Sequence, residues 1–124
     1  MLRWVVIALM FVGGTAFAHQ QTPTYPELKI SHLPGVLKAE MRIFNKREDV
    51  KFYSIRVYDE DFLPVPFATR ERVLSVKYLE TKSFDVFIRA NDAEDAVYIC
   101  TESKILREDA TEASVSSRIC SKIK

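Results

Sequence analysis

Glycine is nearly missing from this chain. Three glycines occur in 124 residues, and Gly13 and Gly14 sit at the end of an N-terminal apolar run. Only Gly35 remains beyond it, which excludes a glycine-rich loop that cradles phosphate. Histidine is equally scarce: His19 and His32 are the only two. His19 stands at a predicted chain start and is expected to be mobile, and His32 lies in a proline-flanked loop. Neither has the local partners of a triad or a metal site, so no catalytic residue, metal ligand or cofactor is assigned. The single tryptophan is Trp4. After residue 18 there is no second long apolar run, hence no predicted membrane anchor.

The first eighteen residues have a definite layout. Met1-Leu2-Arg3 is a basic start, Trp4 to Val12 is unbroken apolar sequence, and Ala16-Phe17-Ala18 is a small-x-small cleavage site. That is the pattern of a secretory signal peptide, too short to anchor in a bilayer. The domain organisation expected is therefore a signal peptide over 1–18 and one domain over 19–124, in the periplasm or secreted. Removing 18 of 124 residues leaves 106, a size that buries a real core with little stability to spare. Arg3 leaves too, so 17 basic residues face 17 acidic ones in the remainder. Such a balance gives no net field for nucleic acid.

Two cysteines in an exported chain read as a disulfide, Cys100 to Cys120. If the two face each other in an antiparallel hairpin, paired residue numbers sum to 220. Ile105 then faces Val115, and residues 106–114 form the connection.

Period-two alternation organises the rest. Leu37, Ala39, Met41 and Ile43 alternate with Lys38, Glu40, Arg42 and Phe44, predicting a half-buried strand over Val36 to Asn45. Strands are also predicted over Val50 to Tyr58, Val73 to Tyr78, around Phe84 to Arg89, over Ala96 to Ile105 and over Val115 to Ile123, with a short edge strand at Leu28 to Ile30. Residues 19–35 are otherwise an extended lead-in with a turn at Pro34-Gly35. Glu80-Thr81-Lys82 reads as a turn and Asn91 to Asp95 as a polar loop. Leu63 to Phe67 must be extended, and its prolines at 64 and 66 suit an edge strand or a crossing between sheets. Six or seven short strands in about 100 residues predict an all-β fold, an immunoglobulin-like β-sandwich.

Three phenylalanines fall opposite their strands' main apolar rows: Phe44, Phe52 and Phe87. They are candidates for a partner surface. Two acidic runs supply candidate calcium ligands if their loops meet: Asp59 and Asp61 in one, Asp92 and Asp95 in the other. Otherwise these are solvated strand ends.

Glu94-Asp95-Ala96-Val97-Tyr98-Ile99-Cys100 resembles the D-x-A-x-Y-x-C signature of immunoglobulin domains, although Asp95 and Ala96 are adjacent. The resemblance implies a tyrosine corner at Tyr98 and a cysteine bridged across the core; the strand over Val36 to Asn45 has no cysteine to complete that bridge. Over residues 36–105 the order of strands, the Phe44-Asn45 turn, Pro64-Val65-Pro66-Phe67 and Phe84 to Arg89 are similar to the N-terminal domain of periplasmic pilus-assembly chaperones. That likeness implies a non-enzymatic role in which an open strand edge holds another protein by β-augmentation. The subunit-anchoring Arg and Lys of those chaperones have no placeable counterpart here. The chain also looks like small signal-bearing proteins of marine phages, through its Arg118-Ile119-Cys120-Ser121-Lys122 ending. The function expected is non-enzymatic binding or assembly through contact with another protein, in an envelope, pilus or virion. The alternative is a secreted inhibitor or a module that binds ligand through its loops.

Overall fold

The structure is a computed structural model that describes residues 19–104 and 117–124. The expected signal peptide, the expected Ile105–Val115 pairing and the connection over 106–114 lie outside the described residues. Eight strands form two antiparallel sheets. In chain order they are β1 His19–Thr22, β2 Lys29–Ile30, β3 Val36–Asn45, β4 Phe52–Tyr58, β5 Val73–Ser75, β6 Thr81–Arg89, β7 Tyr98–Lys104 and β8 Arg118–Lys122, with one helical turn, α1 Ala90–Ala93, before β7.

Sheet A is built on β3, which pairs with β6 along one side and with β1 and β2 along the other. Sheet B has the order β5-β4-β7-β8. Pairing β3 with β6 in one layer and β4 with β7 in the other is the immunoglobulin-like arrangement. Between the layers lie the alternate residues predicted to point inward. They include Ala39, Met41 and Ile43 from β3, Tyr53, Ile55 and Val57 from β4, and Phe84, Val86 and Ile88 from β6. Each large side chain removed from water stabilises the fold by roughly 1.5–3 kcal/mol.

The strand over Val36–Asn45 forms as predicted. Before it, Pro34-Gly35 makes the turn, with Val36 N–H donating to the Leu33 carbonyl at 3.3 Å. Gly35 has φ 71°, which a residue with a Cβ adopts only at a cost. The segment around the two prolines crosses between sheets: Tyr58 bridges to Pro64 in sheet B, and Ala68 bridges to Phe87 in sheet A. The last hairpin has the predicted register. Tyr98 faces Lys122, Cys100 faces Cys120 and Glu102 faces Arg118, each pair summing to 220.

Other expectations shift. The turn read at Glu80-Thr81-Lys82 lies earlier, over residues 77–80, closed by Glu80 N–H to the Lys77 carbonyl, and Thr81 already belongs to β6. Asn91 and its neighbours form α1 within the expected loop. The largest correction is at His19. It is not mobile: it opens β1, pairs with Asn45 and is only 3% exposed.

Candidate functional site

The sandwich is closed along one flank and open along the other. The open flank lies between β6 and β5. In an antiparallel ladder, alternate residues turn their N–H and C=O to opposite sides. Phe87 exchanges two 2.8 Å backbone bonds with Ala68, so the odd-numbered residues of β6 point away from β3. Thr69 Oγ1 donates to the Asp85 carbonyl at 2.9 Å. At Thr81 and Ser83 the outward N–H and C=O have no protein partner among the described residues. Beside them runs a groove of about 380 Å³ with Leu74 and Phe84 in its lining and Arg70 and Asp85 at its rim. Lys82 closes one end, 3.5 Å from Glu71 and donating to the Ser75 carbonyl at 3.3 Å. A second groove of about 350 Å³ continues from it, lined by Leu33, Val36, Phe67 and Phe87. Leu33 is 46% exposed there.

Phe87 lines both grooves, and His32 meets its ring edge-on at 6.0 Å. The other two candidate phenylalanines lie elsewhere. Phe44 shares the outer face of sheet A but pairs with Thr81, whereas Phe87 pairs with Lys38. Six residues of strand separate those positions, about 20 Å. Phe52 is on the outer face of sheet B, across from Lys104. All three are half-buried, and they do not compose one surface.

The acidic candidates do share one end. Asp59 follows Tyr58, which pairs with Tyr98, the residue that opens β7 just after the loop holding Asp92 and Asp95. Asp59 Oδ1 is already used, accepting from Asp61 N–H at 2.9 Å and Leu63 N–H at 2.8 Å. Among the described residues no three His, Cys, Asp or Glu side chains converge to hold a metal ion.

The sequence matches no model of a known protein family and no curated protein.

The disulfide joins Cys100 to Cys120 within sheet B and not across the core. Ser103 N–H donates to Ser117 O and Ile123 N–H to Val97 O, so the cysteines occupy a non-hydrogen-bonded pair, with Cα atoms 4.1 Å apart. Tyr98 makes no corner bond among the described residues; its ring lies on the outer face, stacked on Phe62 with centroids 4.6 Å apart.

A polar cluster on the closed flank carried no apolar signal in the sequence. Gln21 donates to the Ile99 carbonyl and to Ser121 Oγ, both at 2.8 Å. Thr101 Oγ1 donates to Gln21 Oε1 at 2.6 Å. Its hydroxyl proton is therefore spent, and it can only accept from His19 Nε2, 2.9 Å away. That assigns the proton of His19 to Nε2 and leaves Nδ1 to accept from Ser117 Oγ at 3.2 Å. Burial pulls the His19 pKa down to about 4; the Thr101 hydrogen bond opposes this and the nearby Arg47 charge adds to it. A serine thus touches an imidazole, but Thr101 stands where a triad places a carboxylate, and the ring is a weak base. The arrangement joins β1 of sheet A to β7 and β8 of sheet B. Below it Tyr53, its ring 4.7 Å from His19, donates to Asn45 Oδ1 at 2.5 Å, and burial pushes its pKa up to about 12.

Proposed function

We propose that this is an exported binding protein that holds an extended segment of another protein along the free edge of β6. The carrying observation is that edge. Thr81 and Ser83 offer a short unpaired ladder, and the adjoining groove has apolar side chains in its lining. An added strand would present alternate side chains to the groove, the mode known as β-augmentation. Beyond Asp85 on the same edge, Ala68 already pairs with Phe87 as a one-residue strand, so the edge accepts a neighbour in this geometry. Self-pairing is disfavoured. Thr69 covers the Asp85 carbonyl, and a two-fold pairing of the remaining edge sets Lys82 opposite Lys82 of the second copy, which is destabilising. Export is supported by the N-terminal signal pattern and by the Cys100–Cys120 bond. No described helix is long and apolar enough to cross a membrane.

The test is Ser83→Pro. The lost N–H is an outward one, so the β3 ladder keeps all its bonds. Affinity purification with the wild-type protein recovers a partner that Ser83→Pro fails to recover, while thermal unfolding of the variant stays within a few degrees of wild type. A partner that survives Ser83→Pro but is lost on changing residues 59–63 or 90–95 refutes strand addition and favours recognition by the loops.

A further inference from the structure

We propose that the outer face of sheet B is a binding surface for an anionic polysaccharide, one bearing carboxylate or sulfate groups. The pairing registers place Arg56, Lys104, Arg118 and Lys122 on this face beside Tyr58, Tyr98 and the disulfide. The only carboxylate among those strand residues is Glu102. It is engaged by the Tyr58 hydroxyl at 2.9 Å and by Arg118 at 4.0 Å. Arg56, Lys104 and Lys122 have no ion pair among the described residues. Four cations against one anion is a concentration of positive charge, because the whole chain carries a net charge of only +1.

The cations are spread across the sheet. With strands about 4.8 Å apart and alternate residues about 6.8 Å apart, the backbone of Arg56 lies about 12 Å from Lys122 and about 14 Å from Lys104. Their fields merge at low salt, where the screening length exceeds about 10 Å. Arg118 is held in place, its guanidinium 5.2 Å from the Phe62 ring centre and 5.7 Å from that of Tyr58.

The class of polyanion follows from what the rings are doing. One face of Tyr98 is covered by Phe62, and Phe62 and Tyr58 are covered by Arg118. These rings are therefore engaged with one another and with Arg118, and they are not laid out as the open stacking platforms of single-stranded nucleic-acid binders. The two grooves of the open flank lie away from this face, and its strand residues carry four cations, whereas the core of a typical protein interface is depleted of charge. A repeating anionic chain lying across the sheet needs only the charges.

Binding of the unmodified protein to polygalacturonate and to heparin, measured by biolayer interferometry, tests this. Both polymers bind at 50 mM salt. With four cations engaged on a flexible polyanion, affinity falls about twentyfold between 50 and 150 mM. Arg56→Glu with Lys122→Glu weakens binding at least tenfold, and Lys38→Glu on the outer face of sheet A leaves it unchanged. Lys104→Gln with Lys122→Gln repeats the test if the first pair lowers the melting temperature. Failure of both polymers to bind, an equal loss in Lys38→Glu, or tighter binding to poly(dT) than to either polysaccharide overturns the proposal.

Discussion

Acidification should destabilise this domain through one residue, His19. Its imidazole is 3% exposed and neutral, with a pKa of about 4 against 6.5 in an unfolded chain. Between those values the unfolded state binds a proton that the folded state refuses. Stability therefore rises with pH in this window, and it is lost as pH falls from 6.5 toward 4. A shift of about 2.5 units is worth about 3 kcal/mol at 1.36 kcal/mol per unit. For a domain holding about 5–15 kcal/mol in total, that is a large share. Burial sets the direction, and the groups facing the ring do not reverse it. Arg47 repels a second positive charge, Tyr53 holds its phenolic proton, and Thr101, Gln21 and Ser117 are neutral. The assay is urea unfolding at pH steps from 7.5 to 3.5, in the wild type and in His19→Gln. Wild type should lose about 3 kcal/mol across the window. The glutamine variant, weaker at pH 7, should lose much less on the same descent. Parallel losses in the two proteins, or a His19 proton resonance titrating near 6.5, would refute the reasoning.

Three further stability predictions concern buried constraints. Replacing both Cys100 and Cys120 by Ser, or reducing the bond, should cost about 3 kcal/mol for a closed loop of this length; an unchanged urea midpoint under reductant contradicts it. Asn45→Ala should cost about 3 kcal/mol, because it strands the Val50 and Val76 carbonyls, the Arg47 N–H and the Tyr53 hydroxyl together. Tyr53→Phe should cost only about 1 kcal/mol, since Arg47 N–H still serves Asn45 Oδ1. A calorimetric difference of under 1 kcal/mol between Asn45→Ala and wild type would sink the first of these.

The apolar rows were legible because water writes them. Ala39 to Ile43, Tyr53 to Val57 and Phe84 to Ile88 alternate in the sequence as they do in the core. The cysteines fixed one pairing, and the other described pairs of that hairpin followed from the constant sum of 220. β1 was illegible for the same reason. His-Gln-Gln-Thr alternates buried and exposed, but its inward side chains are polar, and hydrophobic periodicity is blind to them. Only their hydrogen-bond partners, some 80 to 100 residues away, make those positions interior. Phe87 could be flagged as outward-facing from its strand, yet the groove beside it is made by residues 69–74 crossing from the other sheet. The basic face escaped notice because its cations are two or more residues apart on three strands, and no local run reveals them.

The chain's first described strand has a mechanical consequence. Residues 19–22 lie in sheet A, and residues 24 and 26 accept bonds from Lys122 and Lys124 at the margin of sheet B. One short segment is thus stitched to both layers, as the spine of a book is stitched to both covers. The fore-edge is at β5 and β6, where the layers are linked by residues 76–80 joining β5 to β6, by the Lys82 contacts and by the segment that bridges to both sheets at Pro64 and Ala68. The groove beside Ser83 sits there, so a guest strand added to β6 would lie against both covers like a bookmark, touching Leu74 of one layer and Phe84 of the other.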